Sequence, residues 1–222
     1  MHKYNTQIIK DLELLADSER ASRMKQYLRN QFEFYGIPSS VQRAKLKPYL
    51  LKSSLPPIED APQIAKELYE LPQRECQHFA LEFLNKYTKS APGEFIAIYE
   101  QLICTKSWWD TVDFIASNLV GMHFKRFEDL KNDYVYKWMS SDNFWLHRTS
   151  IIFQLKYKHE VDLEILEAAI EKGKGSKEFF IQKAIGWALR QYGKFNPDYV
   201  IKYVSENVLA PLSKREALKH LK

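Results

Sequence analysis

Trp109 and Asp113 lie four residues apart in the stretch Thr105-Lys106-Ser107-Trp108-Trp109-Asp110-Thr111-Val112-Asp113. The stretch reads as helix, so one helical face carries both side chains. An indole face attracts positive charge, and a carboxylate stabilises it directly. The pair suits a cationic ligand or a transition state that develops positive charge. The plainer reading is a core tryptophan beside a helix-capping aspartate.

The elements that must position this pair are helices. Seven glycines in 222 residues is low, against about 7% on average. No Asn-Gly or Asp-Gly hairpin signal occurs. Breaks fall at Ile37-Pro38-Ser39-Ser40, Leu55-Pro56-Pro57, Leu71-Pro72, Ala91-Pro92-Gly93, 172–176 and Asn196-Pro197-Asp198. Asp60-Ala61-Pro62-Gln63 and Ser213-Lys214-Arg215-Glu216 resemble helix-opening capping boxes. Between the breaks, apolar residues recur at helical spacing, and no segment reads as a strand. Cys76 and Cys104 fall in apolar helical patterns and are expected to be reduced core residues. The N-terminal residues lack a signal-peptide core, and no apolar run approaches about 18 residues. The expectation is a cytoplasmic protein with no membrane association.

The charge is uneven. Of a net +5, residues 171–222 hold 11 Lys and Arg against 5 Asp and Glu, leaving the rest of the chain close to neutral. A basic C-terminal quarter points to a polyanion, nucleic acid first, or to a solvated face that aids solubility.

An internal repeat organises these residues. Phe144-Trp145-Leu146-His147-Arg148 resembles Phe179-Phe180-Ile181-Gln182-Lys183 at an offset of 35, and Tyr157 falls on Tyr192. The same offset aligns Asp113, Arg148 and Lys183 in one column, and Trp109, Phe144 and Phe179 in a second. A degenerate unit of about 35–40 residues implies a HEAT-like array of helix pairs: an all-α, curved solenoid with a concave basic groove, one domain over 1–222. Phe144 and Phe179 are expected in the core, as are Trp108, Trp138 and Trp145. Trp109 and Trp187 are expected at the groove, and His78 and His147 read as structural.

Four strings carry a resemblance: Thr105 to Asp113, Ser141-Asp142-Asn143-Phe144-Trp145-Leu146-His147-Arg148, Ser176 to Arg190, and Leu209-Ala210-Pro211-Leu212-Ser213-Lys214-Arg215-Glu216-Ala217. Through them the chain resembles the bacterial DNA alkylation repair glycosylases of the AlkD type, built from HEAT-like repeats. The resemblance implies excision of N3- and N7-alkylated purines from double-stranded DNA by N-glycosidic cleavage. It implies no metal and no cofactor, and a lesion that is not flipped into a base pocket, unlike most glycosylases. It places Trp109, Asp113 and Trp187 around the lesion's sugar with Arg148 nearby, and Tyr27 at the DNA.

The chemistry of the residues agrees. Alkylation at N3 or N7 makes the purine cationic, so the base departs neutral and leaves an oxocarbenium-like sugar. One carboxylate, Asp113, can stabilise that sugar and orient water, because no strong general acid is needed. Indole faces gain attraction as charge reaches the sugar. Arg148 is expected to contact a phosphate, and to pair with Asp113 when DNA is absent; a purely structural ion pair is the plainer role. Lys106, Lys156, Lys183, Arg190, Lys214 and Arg215 are candidate phosphate contacts, with Arg43 a weaker one. A monomer is expected. Two other classes fit the same fold: a non-catalytic DNA-binding scaffold and a protein–protein adaptor. The catalytic trio weighs against the first, and the basic C-terminal quarter against the second.

Overall fold

Short polar residues open four of the described helices, because a side-chain oxygen satisfies an amide left bare in the first turn. In the computed structural model, which describes residues 1–221, Asp17 accepts from the Arg20 amide and opens α2 (Ser18–Tyr27) after α1 (Lys3–Glu13). Then follow α3 (Ser39–Leu46), α4 (Ala61–Glu70), α5 (Arg74–Asn85) and α6 (Phe95–Cys104). Beyond them come α7 (Trp109–Phe114), α8 (Gly121–Phe124), α9 (Glu128–Met139), α10 (Phe144–Ile152) and α11 (Leu163–Gly173). The last are α12 (Phe179–Tyr192), α13 (Pro197–Glu206) and α14 (Pro211–Ala217). Asn143, Asp162 and Asn196 cap α10, α11 and α13. Among the described residues the only extended pairing is an isolated bridge between Glu33 and Gln73, so the fold is all-helical. No described helix is long and apolar enough to cross a membrane.

The chain divides into two compact units, Met1–Ile98 and Tyr99–Lys222. In the first, Ile8, Leu12, Ile64, Leu68, Phe79 and Phe83 are buried. The buried Glu75 carboxylate accepts the backbone amides of Tyr35, Gly36 and Ile37 at 3.0, 2.9 and 3.1 Å, pinning the loop after α2. That loop turns at Gly36, whose φ of +89° and contact with the Asp17 carbonyl leave no room for a Cβ.

In the second unit α10 is the central helix. Trp145, Leu146, Thr149, Ser150, Ile151 and Ile152 are buried, as a helix enclosed on all sides requires. It packs against α7, α9, α11 and α12. Arg148 belongs to the same buried set, so its charge is carried into the interior and must be matched there.

The structure corrects several expectations. The helix begins at Trp109, not Thr105: Lys106 has a left-handed φ of 47°, and Trp108 is extended at its N-cap. Trp108 is half-buried, whereas Trp138 and Trp145 are buried as expected. Asp60 makes no capping hydrogen bond, though Pro62 does sit in the first turn of α4. Ser213 and Glu216 form no capping box, because Pro211 opens α14 and both side chains reach out to α12. Cys76 is buried, but Cys104, at the end of α6, is exposed. Phe179 is 54% exposed, since it starts a helix at the rim of a cleft; Phe144 is half-buried.

Candidate functional site

Asp113 sits one turn into α7. Its helix continues as a π-helical segment, Ile115–Val120, before α8 resumes α-helical winding. Ser117 Oγ donates to the Asp113 carbonyl at 2.8 Å, and Asn118 Nδ2 donates to the Phe114 carbonyl at 3.0 Å. Side chains thus serve carbonyls beside the widened turn. Such turns recur where a helix must aim a particular residue.

Arg148, one repeat later on α10, meets Asp113 in a forked pair. Nε donates to Oδ1 at 2.7 Å and Nη2 to Oδ2 at 2.8 Å, while Nη1 donates to the Phe180 carbonyl. Two parallel bonds fix the carboxylate's plane as well as its position. The side chains are 5% and 16% exposed for Arg148 and Asp113. Burial pushes the Asp113 carboxyl above the usual carboxylate range; the Arg148 charge and hydrogen bonds oppose this, and nearby Asp110 adds to it.

Behind the pair lies an aromatic floor. The Trp108 ring packs on Phe180 and Trp145 at 5.3 and 5.9 Å between centroids. Phe180 stacks parallel to Phe144 at 6.3 Å and lies 5.9 Å from the Arg148 guanidinium. Low-polarity walls of this kind strengthen the electrostatics of the charges they enclose.

In front of the pair is a cleft of about 290 Å³, lined by Trp109, Asp113, Arg148, Phe179, Phe180, Lys183, Trp187, Arg190 and Glu216. The α12 residues Phe179, Lys183, Trp187 and Arg190 are spaced four, four and three apart, which makes one helical stripe. Two clefts are larger. One, of about 520 Å³, is ringed by Glu164, Glu167, Glu171 and Glu206 and repels a polyanion. The other, about 590 Å³, lies in the first unit around Ser18, Lys25, Glu33 and Tyr35, and lacks the carboxylate and indole set. Of the three, only the smallest brings a carboxylate, a guanidinium and two indoles together.

The sequence columns are partly realised as contacts. Asp113 and Arg148 touch, but Lys183 turns instead to Glu216 of α14, 3.0 Å away, and Arg190 Nη1 lies 2.7 Å from the other Glu216 oxygen. These hydrogen bonds, the Lys183 one foremost, hold the Glu216 carboxyl below the usual range. Lys156 is exposed and donates to Asn118 Oδ1; Lys214 and Arg215 are exposed on α14. Lys106 occupies the turn before Trp108. In the first unit, Tyr27 is 75% exposed at the end of α2, and Arg43 pairs with Glu82 at 3.2 Å. His147 lies 3.1 Å from the Ala169 carbonyl, and burial lowers its pKa.

Sequence reasoning missed Phe180 and Glu216. The Phe180 contribution is a backbone carbonyl and a ring beneath a guanidinium, neither of which residue type reveals. Glu216 carries a signal, its place in a conspicuous acidic-basic string, but its spacing from Ser213 reads equally as a helix cap.

One helical unit thus gathers a buried carboxylate–guanidinium fork, two indoles and two further cations around a single cleft. The chain belongs to the family of DNA alkylation repair enzymes, whose model matches residues 8–221. It is similar to a solved structure described as a "Predicted DNA alkylation repair enzyme from Enterococcus faecalis". The two are 32% identical with a TM-score of 0.87, over 93% of this chain and 96% of that one. Comparison with curated proteins gives no match.

Proposed function

We propose that the protein is a monofunctional DNA glycosylase that releases N3- and N7-alkylated purines, such as 3-methyladenine and 7-methylguanine, from double-stranded DNA. The observation that carries this reading is the Asp113 carboxylate, held by the Arg148 fork on the wall of a cleft that Trp109 and Trp187 also line. Alkylation places positive charge on the purine. The C1′–N bond then breaks with both electrons passing to the base, which leaves neutral. The sugar becomes oxocarbenium-like, and Asp113 stabilises it at close range in a poorly solvated site. Water adds to C1′ and gives its proton to Asp113 or to solvent. Trp109 and Trp187 face the developing charge with their π clouds, an attraction that grows toward the transition state.

In this reading the cleft engages the sugar, and the lesion is not swung into a pocket of its own. Arg148 fixes the carboxylate's orientation through both oxygens. Its burial favours this positioning role over a simple phosphate contact. Lys106, Lys156, Lys214 and Arg215 are cations for the DNA backbone in the second unit; Tyr27 and Arg43 are candidate DNA contacts of the first unit taken by itself.

The test is release of 7-methylguanine and 3-methyladenine from methylated duplex DNA, in the presence of EDTA. Wild-type release with a loss of about 100-fold or more in Asp113→Asn supports the mechanism. No wild-type release, with salt-sensitive duplex binding intact, would leave a DNA-binding scaffold as the better reading.

A further inference from the structure

We propose that Glu216 is a positioning residue that sets Lys183 and Arg190 as a two-cation clamp for one DNA backbone phosphate at the cleft. The inference rests on the reading that this cleft engages DNA, but not on base release.

A carboxylate between two cations at first suggests a closed structural network. Three observations argue otherwise. The first is the count of donors: an ammonium has three N–H groups and a guanidinium five. Each cation gives one contact to Glu216, at 3.0 and 2.7 Å, so most donors remain. The second is charge: two cations and one carboxylate leave the cluster at +1, still attractive to phosphate. The third is placement. Lys183, Arg190 and Glu216 all border the cleft that holds Asp113, and the side chains of Lys183 and Arg190 are 37% and 22% exposed while that of Glu216 is 13% exposed. The anion is thus the more buried member, and the cations are the more open ones.

The backbone makes this geometry specific. A Cβ on Gly186 would lie 2.5 Å from Glu216 Cβ and 2.8 Å from the Ser213 carbonyl. Only glycine lets α12 and α14 approach this closely. Ser213 Oγ donates to the Gln182 carbonyl at 2.9 Å and fixes the register. Glu216 is thereby delivered between residues 183 and 190, one oxygen for each. Cations held by two oxygens of one carboxylate are close enough for two oxygens of one phosphate to bridge them from the cleft side. Without the carboxylate, two long side chains of like charge would separate.

The experiment measures affinity for undamaged duplex DNA across salt. Each phosphate neutralised contributes about 0.9 to the slope of log affinity against log salt. Lys183→Ala/Arg190→Ala should flatten the slope by about 0.9, one phosphate, or about 3.5-fold less change in affinity between 50 and 200 mM salt. An unchanged slope would overturn the site, and a change near 1.8 would mean two separate phosphates and overturn the clamp. Glu216→Gln supplies a test by sign. Removing a negative charge alone tightens DNA binding, whereas loss of the clamp weakens it at every salt concentration. Val135→Ala, which truncates a buried side chain on α9 outside this seam and leaves all three charges, controls for destabilisation and should keep the wild-type slope. If it flattens the slope as much as the double variant, the role is structural and the proposal fails. Because undamaged DNA is the probe, a flattened slope with no base release would sink the glycosylase reading and leave the clamp standing.

Discussion

At the scale of single residues, the Asp113–Arg148 pair is the feature most sensitive to substitution. A forked pair this enclosed leaves a stranded charge when one partner goes. Arg148→Ala should therefore cost about 3 to 5 kcal/mol of stability, read as a lowered thermal midpoint. Arg148→Lys should recover little, since an ammonium cannot donate two parallel bonds to one carboxylate. A midpoint unchanged in Arg148→Ala would mean that the carboxylate finds other support. In the proposed mechanism, the pH dependence of base release follows from the Asp113 carboxyl. Burial raises its pKa, and the mechanism needs its anion. Activity should thus fall on acidification at a pH above the ordinary aspartate value of about 3.9. Glu216 contributes to stability with the opposite shift. Its folded pKa is lowered, so its stabilising contribution is present above the unfolded value and is lost as pH falls through the folded one. Glu216→Gln should flatten the acid side of the midpoint-versus-pH curve, and an unaltered acid side would contradict the pairing.

At the scale of elements, the seam between α12 and α14 turns on Gly186. Alanine is the better helix former by about 1 kcal/mol, so Gly186→Ala on an open face would stabilise. Here the added Cβ meets backbone and side-chain atoms at 2.5 and 2.8 Å. The crowding wins, and a net destabilisation of about 1 to 3 kcal/mol is expected in denaturant melts. The sequence disclosed the elements well where punctuation is local: the break at Asn196-Pro197-Asp198 falls where α13 opens. It failed where one residue type serves two purposes. Ser213 and Glu216 have the spacing of a capping box, but tertiary partners on α12 outcompete the helix's own amides. Trp108 and Trp109 look alike in the chain, yet a left-handed turn at Lys106 takes one out of the helix. The offset of 35 revealed the Asp113–Arg148 contact because α7 and α10 pack in register. It misdirected Lys183, whose partner lies on a helix that follows no such offset.

At the scale of the molecule, the proposed mechanism assigns DNA binding to exposed charge and chemistry to a buried pair. The positive charge is concentrated in residues 171–222, and Lys214 and Arg215 on α14 are exposed. Exposed cations act through solvent and are screened within about 10 Å at 0.1 M salt. Their contribution to DNA capture must weaken as salt rises. The Asp113–Arg148 pair is enclosed, with Arg148 only 4% exposed, and buried pairs are screened far less. The two steps should therefore respond differently to the same change. With methylated DNA below saturation, the rate of base release should fall steeply between 50 and 200 mM salt, about 3.5-fold for each phosphate contacted. With DNA saturating in a single turnover, the rate should hardly move. A saturated rate that falls in parallel would place the decisive electrostatics on the exposed surface, not in the buried pair. Tyr27→Ala refines the division: an exposed aromatic in the first unit should lose DNA affinity while the saturated rate and the thermal midpoint stay near wild type.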